Sequence, residues 1–457
     1  MSQQDSTDKP RPEILIIGAG ISGLTLAILL EQINIPYHIF ERASEVKSLG
    51  SVMVFAGNIF PALEQLGIYQ ELKQVSKPIV DEYFYNADAK KLGTFSFQEY
   101  KDSSGYETLI FSRPRFYDIL LKRVPAHKIS FKKRVLRIEE KEGKTHIHCS
   151  DDSSYTGDIV VGADGAHSGV RQAMYKHMDE QSILPKSDLE DFAIGYVNIV
   201  GVAKPSNPEK YPQFKEEYST FNQVVYGDGA SANVVANPNN EICWGFGQQL
   251  SKTALKEMQI RNAEWGPESS DATLEQYRDF PCPFGGTMGE IIDATPKHLI
   301  SKVFLEEKIF KTWYHSRSVL VGDACHKLHP AGGQGAGNAI MDAIVLANCL
   351  YAMPDSSIKS IKSVFEEYYR QRYHRAETAF EDSISLSKVL AGQNFMERFV
   401  RHAVLNYIPS WILDAQLRKL TQYRPQIAWL PQIENRGNGI VLPQEFTEST
   451  TTNVVAE

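Results

Sequence analysis

The chain has 457 residues, 42% hydrophobic and 23% charged, with a net charge of −8 and a pI near 5.9. That composition is ordinary for a globular protein, and the length suits two or three domains or one large α/β body with insertions. An acidic balance without a basic block argues against nucleic acid as a partner, and no apolar run approaches the roughly 20 residues of a membrane span.

Residues 1–12 are polar, lack a hydrophobic signal core and read as a disordered tail. The run Ile14-Leu-Ile-Ile then breaks on Gly18, Gly20 and Gly23 and turns into a helical pattern. This strand–turn–helix order is the setting in which G-x-G-x-x-G binds a dinucleotide. Gly18 permits the tight turn, Gly20 lets backbone amides reach a pyrophosphate, and Gly23 lets the helix pack close to its strand. The phosphates then sit at a helix N-terminus, where free N–H groups and the dipole favour anions. A second strand, Tyr37-His-Ile-Phe40, ends at Glu41, about 20 residues past the glycines, where an acid bonds a ribose hydroxyl.

A glycine break at Gly50 and an apolar helix around Ile59–Leu63 follow. Asp81–Phe97 alternates like short strands, and Arg113–Val124 reads as a helix with Pro114 near its start. Ile129–Gly165 reads as a β-meander, with one strand over Ser130–Ile138, the next over Thr145–Cys149 and a third over Asp158–Val161. Gly162-Ala-Asp164-Gly165 ends it. From Asp191 to about Ser301, runs at Phe192–Val202, Asn222–Tyr226, Ala232–Ala236 and Ile242–Gln248 predict a mostly antiparallel sheet. Arg317–Val321 returns to a buried strand, Gly322-Asp323 follows, and helices run from Gly335 to about Leu420. Residues 444–457 read as a second disordered tail. Cys149, Cys243, Cys282, Cys325 and Cys349 are scattered, form no metal-ligand pattern and suit a reducing, cytoplasmic compartment.

Three motifs in this order, the glycine loop, Gly162-Ala-Asp164-Gly165 with Arg171, and Gly322-Asp323 leading to Gly333-Gln-Gly335-Ala336, resemble those of the class A FAD-dependent monooxygenases. That family includes aromatic hydroxylases, zeaxanthin epoxidase and the fungal meroterpenoid epoxidases. The likeness runs from about Glu13 to about Pro431, and Tyr423-Arg-Pro-Gln426 with Trp429-Leu-Pro431 resembles a closing segment of the fungal branch. It implies an α/β fold: a doubly wound, Rossmann-type FAD domain interleaved with a mostly antiparallel substrate sheet, then C-terminal helices. The implied division is 13–190 for FAD, with part of the substrate sheet near 81–110, then 191–301 for substrate. FAD binding resumes over 302–350, and 351–443 is helical.

The resemblance also implies site residues. Glu41 matches the acid on the adenosine ribose. Gly50 lets backbone approach the cofactor, and Arg113 reaches its ribityl–phosphate region. Asp164 belongs to a motif linked to both FAD and NADPH, with Arg171 buttressing it. Asp323 matches the acid on the ribityl hydroxyls, and the amides at Gly335 and Ala336 approach the flavin ring. Tyr196 matches a proposed catalytic tyrosine, although a packed aromatic is the competing reading. The chain departs from the family at Ala331, at Ala336-Gly337-Asn338 and at Met341-Asp342.

The implied activity is oxygen insertion into a small aromatic or isoprenoid-type substrate through a flavin C4a-hydroperoxide, with NADPH or NADH as transient reductant. Two other readings share the fold: a prenyl-reductase-type flavoprotein that does not activate oxygen, and a non-catalytic scaffold of the GDP-dissociation-inhibitor type. No metal site is expected. His326 reads as a structural hydrogen-bonder, and Trp313 and Tyr314 as packing residues. The amphipathic, aromatic stretch 395–420 reads first as a stripe packed on the core and second as a peripheral membrane contact.

Overall fold

The computed structural model describes residues 11–45, 50–226, 229–250, 264–265, 271–391 and 395–446. Residues 1–10 and 447–457 of the expected tails, and Ser48 and Leu49 before Gly50, lie outside them. A six-stranded sheet organises the nucleotide half. Its order is Tyr314–His315, Ser318–Leu320, Ile159–Gly162, Ile14–Ile17, Tyr37–Phe40 and Ile129–Ser130. All neighbours are parallel except the Tyr314–His315 edge. Ile14–Ile17 and Ile159–Gly162 are buried along their whole length, which is why both read as unbroken apolar runs rather than alternating ones. The Ile21–Gln32 helix is buried on nearly every side, pressed between this sheet and the Gly335–Tyr351 helix.

The second sheet is larger and mixed. Its main path runs Glu264–Trp265, Ser301–Ile309, Ala193–Ala203, Glu241–Gln249, Ala230–Asn237, Ser219–Val225, Ser76–Tyr85, Leu109–Ser112 and Val52–Phe55. Pairing along this path is antiparallel except where Ser219–Val225 meets Ser76–Tyr85. One face of this sheet packs on the Asp271–Glu275 and Met288–Asp293 helices through Trp244, Phe246, Met288 and Ile291. The opposite face turns toward the nucleotide half.

One expected strand divides. Residues Ser130–Ile138 form two strands, because Lys132 takes a left-handed backbone (φ 59°) and breaks the extended run. Ile129–Ser130 stays beside Tyr37–Phe40, while Val135–Lys141 joins a separate three-stranded antiparallel sheet with Lys144–Cys149 and Ser154–Gly157. The expected third strand also begins differently. Ile159–Gly162 leaves the meander and pairs in parallel with Ile14–Ile17.

The C-terminal helices span Ile358–Ala391, Phe395–Asn406 and Ser410–Leu420. The 395–420 stripe does not pack as a whole on the core. Leu405 lies against Gly93 of the second sheet, but Met396, Phe399, Tyr407 and Trp411 are exposed. Among the described residues no helix is long and apolar enough to cross a membrane. Trp313, by contrast, is fully buried, with its Nε1–H donated to the Phe310 carbonyl at 2.8 Å.

Candidate active site

Two of the motif glycines answer to the protein itself. Gly18 has φ +106°, and a Cβ there would lie 2.4 Å from the Ala163 carbonyl oxygen. A Cβ on Gly23 would lie 2.2 Å from the Gly18 carbonyl oxygen, so the helix could not pack where it does. Gly20 and Gly335 are different. A Cβ at Gly20 would meet nothing nearer than 3.7 Å, and at Gly335 nothing within 4 Å. No atom of the described residues demands glycine at these two positions, which open onto space at the starts of two long helices. That open cradle fits a dinucleotide whose phosphates and ring lie against bare backbone.

The first helix opens with Leu24 N–H bonded to the Gly20 carbonyl, leaving the N–H groups of its first turn aimed outward. Glu41 clamps the loop before it: Oε2 accepts the Ala19 N–H at 2.9 Å, and Oε1 accepts the Ala43 N–H at 2.8 Å. The carboxylate therefore stands beside the glycine turn, at the end of its strand.

Asp164 adjoins Gly18, its Cα 2.9 Å from where a Gly18 Cβ would be. Its Oδ2 accepts the Gly169 N–H at 2.7 Å, in the first turn of the Gly169–Glu180 helix whose N-cap is Ser168. Its Oδ1 is buried without a hydrogen-bond partner, and burial pushes its pKa up. Arg171 ties this motif to the third one, donating to the Ala166 carbonyl at 2.6 Å and to the Ala324 carbonyl at 2.7 Å.

Asp323 sits half-buried in the third motif, paired with Lys327. Burial works to raise its pKa, but the Lys327 ammonium, and to a lesser degree His326 and Arg113, hold it below the usual value. Arg113 is folded over Gly50, whose Cβ, if present, would lie 2.9 Å from the arginine Cδ. Gly322 joins the two halves. A Cβ there would be 3.0 Å from Ser22 Oγ in the first helix and 3.2 Å from Ala339 Cβ in the Gly335–Tyr351 helix. Gly18, Gly20, Gly23, Glu41 and Asp164 thus lie around one turn. Gly50 lies against Arg113, whose charge acts on Asp323, and Gly335 and Ala336 open the helix that packs against Gly322. The open space left at Gly20 and Gly335 is the candidate groove.

Tyr196 comes from the second sheet, beside a register shift in the Ala193–Ala203 strand. Its ring meets His329 edge-on, with centroids 5.4 Å apart. His329 lies in the loop between Asp323 and Gly335, which sets Tyr196 against that loop. Motif reading passed over His329, because the Asp323-to-Gly335 pattern carries no requirement at that position. Its Nδ1 accepts the Ala331 N–H at 3.2 Å, so the neutral ring bears its proton on Nε2. That Nε2 is buried with no partner, and burial pushes the pKa down to about 4.

A second omission is Arg372. Asp342, the departure noted in the helix after Gly335, is fully buried. Its Oδ2 accepts the Gly322 N–H at 2.8 Å and bonds His326 Nε2 at 2.6 Å, and its Oδ1 accepts the Arg372 Nε–H at 2.7 Å. Burial alone would lift its pKa, but His326 and Arg372 hold it at about 2. Cys325, His326 and Asp342 lie close enough to resemble a ligand set. The guanidinium already neutralises the carboxylate, and Cys325 Sγ points to the Gly322 carbonyl, its thiol pushed well up by burial. This cluster braces Gly322 and the helix behind the groove. The only sequence signal for Arg372 was its place on a long helix, which says nothing about a partner 30 residues earlier.

The FAD binding domain family model matches residues 11–216 and 290–383. Among curated proteins, the FAD-dependent monooxygenase atmM of Aspergillus flavus is 27% identical over 445 residues, covering 94% of this chain and 89% of that one. The FAD-dependent monooxygenase ausM of Aspergillus calidoustus is 26% identical over 446 residues, covering 95% and 92%. Among solved structures, Klebsiella pneumoniae HpxO complexed with FAD and uric acid superposes with a TM-score of 0.72 at 20% identity, over 92% of this chain and all of that one. CtdE in complex with FAD and a substrate gives 0.67 at 18% identity, over 90% and 97%. These structural likenesses establish the fold.

Proposed function

Since the chain belongs to the FAD binding domain family and is a class A FAD-dependent monooxygenase, we propose that it takes reducing equivalents from NADPH or NADH and transfers one atom of dioxygen to a small organic substrate. The transfer is hydroxylation of an activated ring or epoxidation of an alkene. What supports this reading is the meeting of separated segments: Gly18 lies against Ala163 and Asp164, Gly322 beside Asp323 lies against Ser22 and Ala339, Gly50 lies against Arg113, and Tyr196 meets His329. The segments 13–190 and 302–350 then form the FAD-binding part and 191–301 the substrate part.

FAD, when bound, supplies the redox and oxygen chemistry. The residues of the chain do the rest. Glu41 receives the adenosine ribose and Asp323 the ribityl hydroxyls. The first-turn amides of the Ile21–Gln32 helix face the phosphates. The N-terminal amides at Gly335 and Ala336, with the helix dipole behind them, favour negative charge at the ring edge. The second sheet closes off water, which protects a reactive oxygen donor from wasteful loss. Tyr196 Oη and His329 Nε2–H stand on the substrate side as proton-bearing groups. Changing Tyr196 to Phe should lower turnover about 10²-fold or more while leaving FAD content intact; unchanged turnover would reduce Tyr196 to packing.

On this reading the enzyme works in the cytoplasm, with a lipid surface as peripheral partner. Met396, Phe399, Val400 and Tyr407 follow helical spacing on an exposed face, and Trp411 and Ile412 extend it. Arg398, Arg401, Arg418 and Lys419 outnumber Glu397 and Asp414 there, against an acidic whole. Co-sedimentation with phosphatidylcholine–phosphatidylserine vesicles, lost on Phe399→Asp with Trp411→Asp, tests this.

Purified protein should be yellow, and substrate should stimulate both NAD(P)H oxidation and oxygen uptake, giving a product one oxygen atom heavier. NAD(P)H oxidation without substrate-stimulated oxygen uptake would favour the prenyl-reductase-type reading. A colourless protein unable to take up FAD would favour the scaffold.

A further inference from the structure

The second sheet presents a patch of unpaired polar side chains to the groove. Directly paired residues on neighbouring strands share a face, and alternate residues share it along a strand. Asn198 pairs with Gly247, and Gly247 with Ser231. One row on, Val200 pairs with Gly245, Gly245 with Asn233, Asn233 with Gln223, and Gln223 with Phe84. Tyr196 and Gln249 form the row above, so this is the face that meets His329. The row below, Val202, Cys243, Val235 and Phe221, is apolar core and closes the patch.

At its centre lie two glycines covered by these side chains. A Cβ on Gly247 would stand 2.8 Å from Asn198 Oδ1 and 3.2 Å from Ser231 Oγ. On Gly245 it would stand 3.0 Å from Asn233 Nδ2. The polar groups therefore fill the space over the two glycines and form a polar shelf themselves. The side chains of Asn198, Ser231, Asn233 and Gln223 make no hydrogen bond within the described structure, and all four are half-buried. A ligand that covers them and drives off water must replace the lost hydrogen bonds, or binding is penalised. No lysine or arginine occupies this face on the five strands from Ser301–Ile309 to Ser219–Val225, so a carboxylate would find no counter-charge there.

We infer that Asn198, Ser231, Asn233 and Gln223 are the specificity-determining residues. They select a neutral, flat, multiply oxygenated ring system, bearing carbonyl and hydroxyl groups, that lies on the shelf these side chains form. This rests on the monooxygenase reading and names its substrate class. It disfavours anionic aromatic acids and unoxygenated terpenes.

The test uses FAD-loaded protein and three probes: progesterone as a neutral oxygenated polycycle, salicylate as an anionic aromatic, and limonene as a bare hydrocarbon. Progesterone should perturb the flavin absorption spectrum at the lowest concentration. Asn198→Leu and Asn233→Leu should each weaken that binding about tenfold, and Ser231→Ala about threefold, with FAD content as the control for folding. Ser231→Ala is small enough to keep the test open should a leucine variant not fold. Tighter binding of salicylate or limonene, no response to progesterone, or unchanged progesterone binding in the variants would overturn the inference. A yellow, NAD(P)H-oxidising protein that prefers salicylate would sink this inference alone, whereas a colourless protein would sink the function with it.

Discussion

The base of the Gly335–Tyr351 helix and the groove-facing side of the second sheet are both polar, yet they treat polarity in opposite ways. At the helix base the Asp342 carboxylate is buried, and both of its oxygens are engaged by Gly322, His326 and Arg372. On the sheet, Asn198, Ser231, Asn233 and Gln223 are half-buried and bond to no described residue. Buried charge is tolerated when it is paired, and such pairs fix one packing arrangement. Half-buried polar groups left without partners persist where water or a ligand serves them. The first arrangement braces Gly322, and the second is the one that we propose receives the substrate.

If that contrast is sound, the largest effect should come from the paired side. Arg372→Ala leaves Asp342 charged and buried, and should cost about 3–5 kcal/mol. Urea unfolding would measure it; a loss below about 1 kcal/mol would mean that the pair behaves as a surface contact. Next comes Asp323, which touches both worlds because, among the described residues, only Lys327 partners it directly. Asp323→Ala should weaken FAD about 10–100-fold, the worth of hydrogen bonds to a charged group, read by flavin fluorescence titration. Glu41→Ala should weaken FAD about tenfold, with little change in rate at saturating FAD. Unchanged affinity would remove Glu41 from the site.

A separate effect is in pH dependence. Burial holds His329 neutral down to about pH 4 in the folded chain, against an ordinary value of 6.5. The unfolded chain therefore binds the extra proton first, and the folded state loses stability as pH falls from about 6.5 to about 4. His329→Asn keeps an acceptor for the Ala331 N–H but cannot titrate, so its stability should fall less across that window. Thermal melts at stepped pH would show it; parallel curves would place the titrating group elsewhere.

Much of this was legible in one dimension. Gly18 and Gly23 announced a strand–turn–helix because their reasons are local: a left-handed φ and a helix packed on its own strand. Asp164 and Asp323 were legible for the same cause, each ending a buried strand and opening a loop. The split of Ser130–Ile138 was not, since a lysine in a left-handed turn carries no signature. The exposed half of the 395–420 stripe was not either. An amphipathic pattern tells which residues share a face, not whether a partner covers it.

The sequence alone determined the dinucleotide turn, the parallel sheet around it and the kind of cofactor it grips, because periodicity and turn chemistry act over a few residues. Only the tertiary structure decided that Tyr196 meets His329, that Arg372 neutralises Asp342, and that Asn198, Ser231, Asn233 and Gln223 share one shelf. Those facts depend on strand register and on packing between distant segments. A shift of one residue in any pairing would send the same side chains to the opposite face.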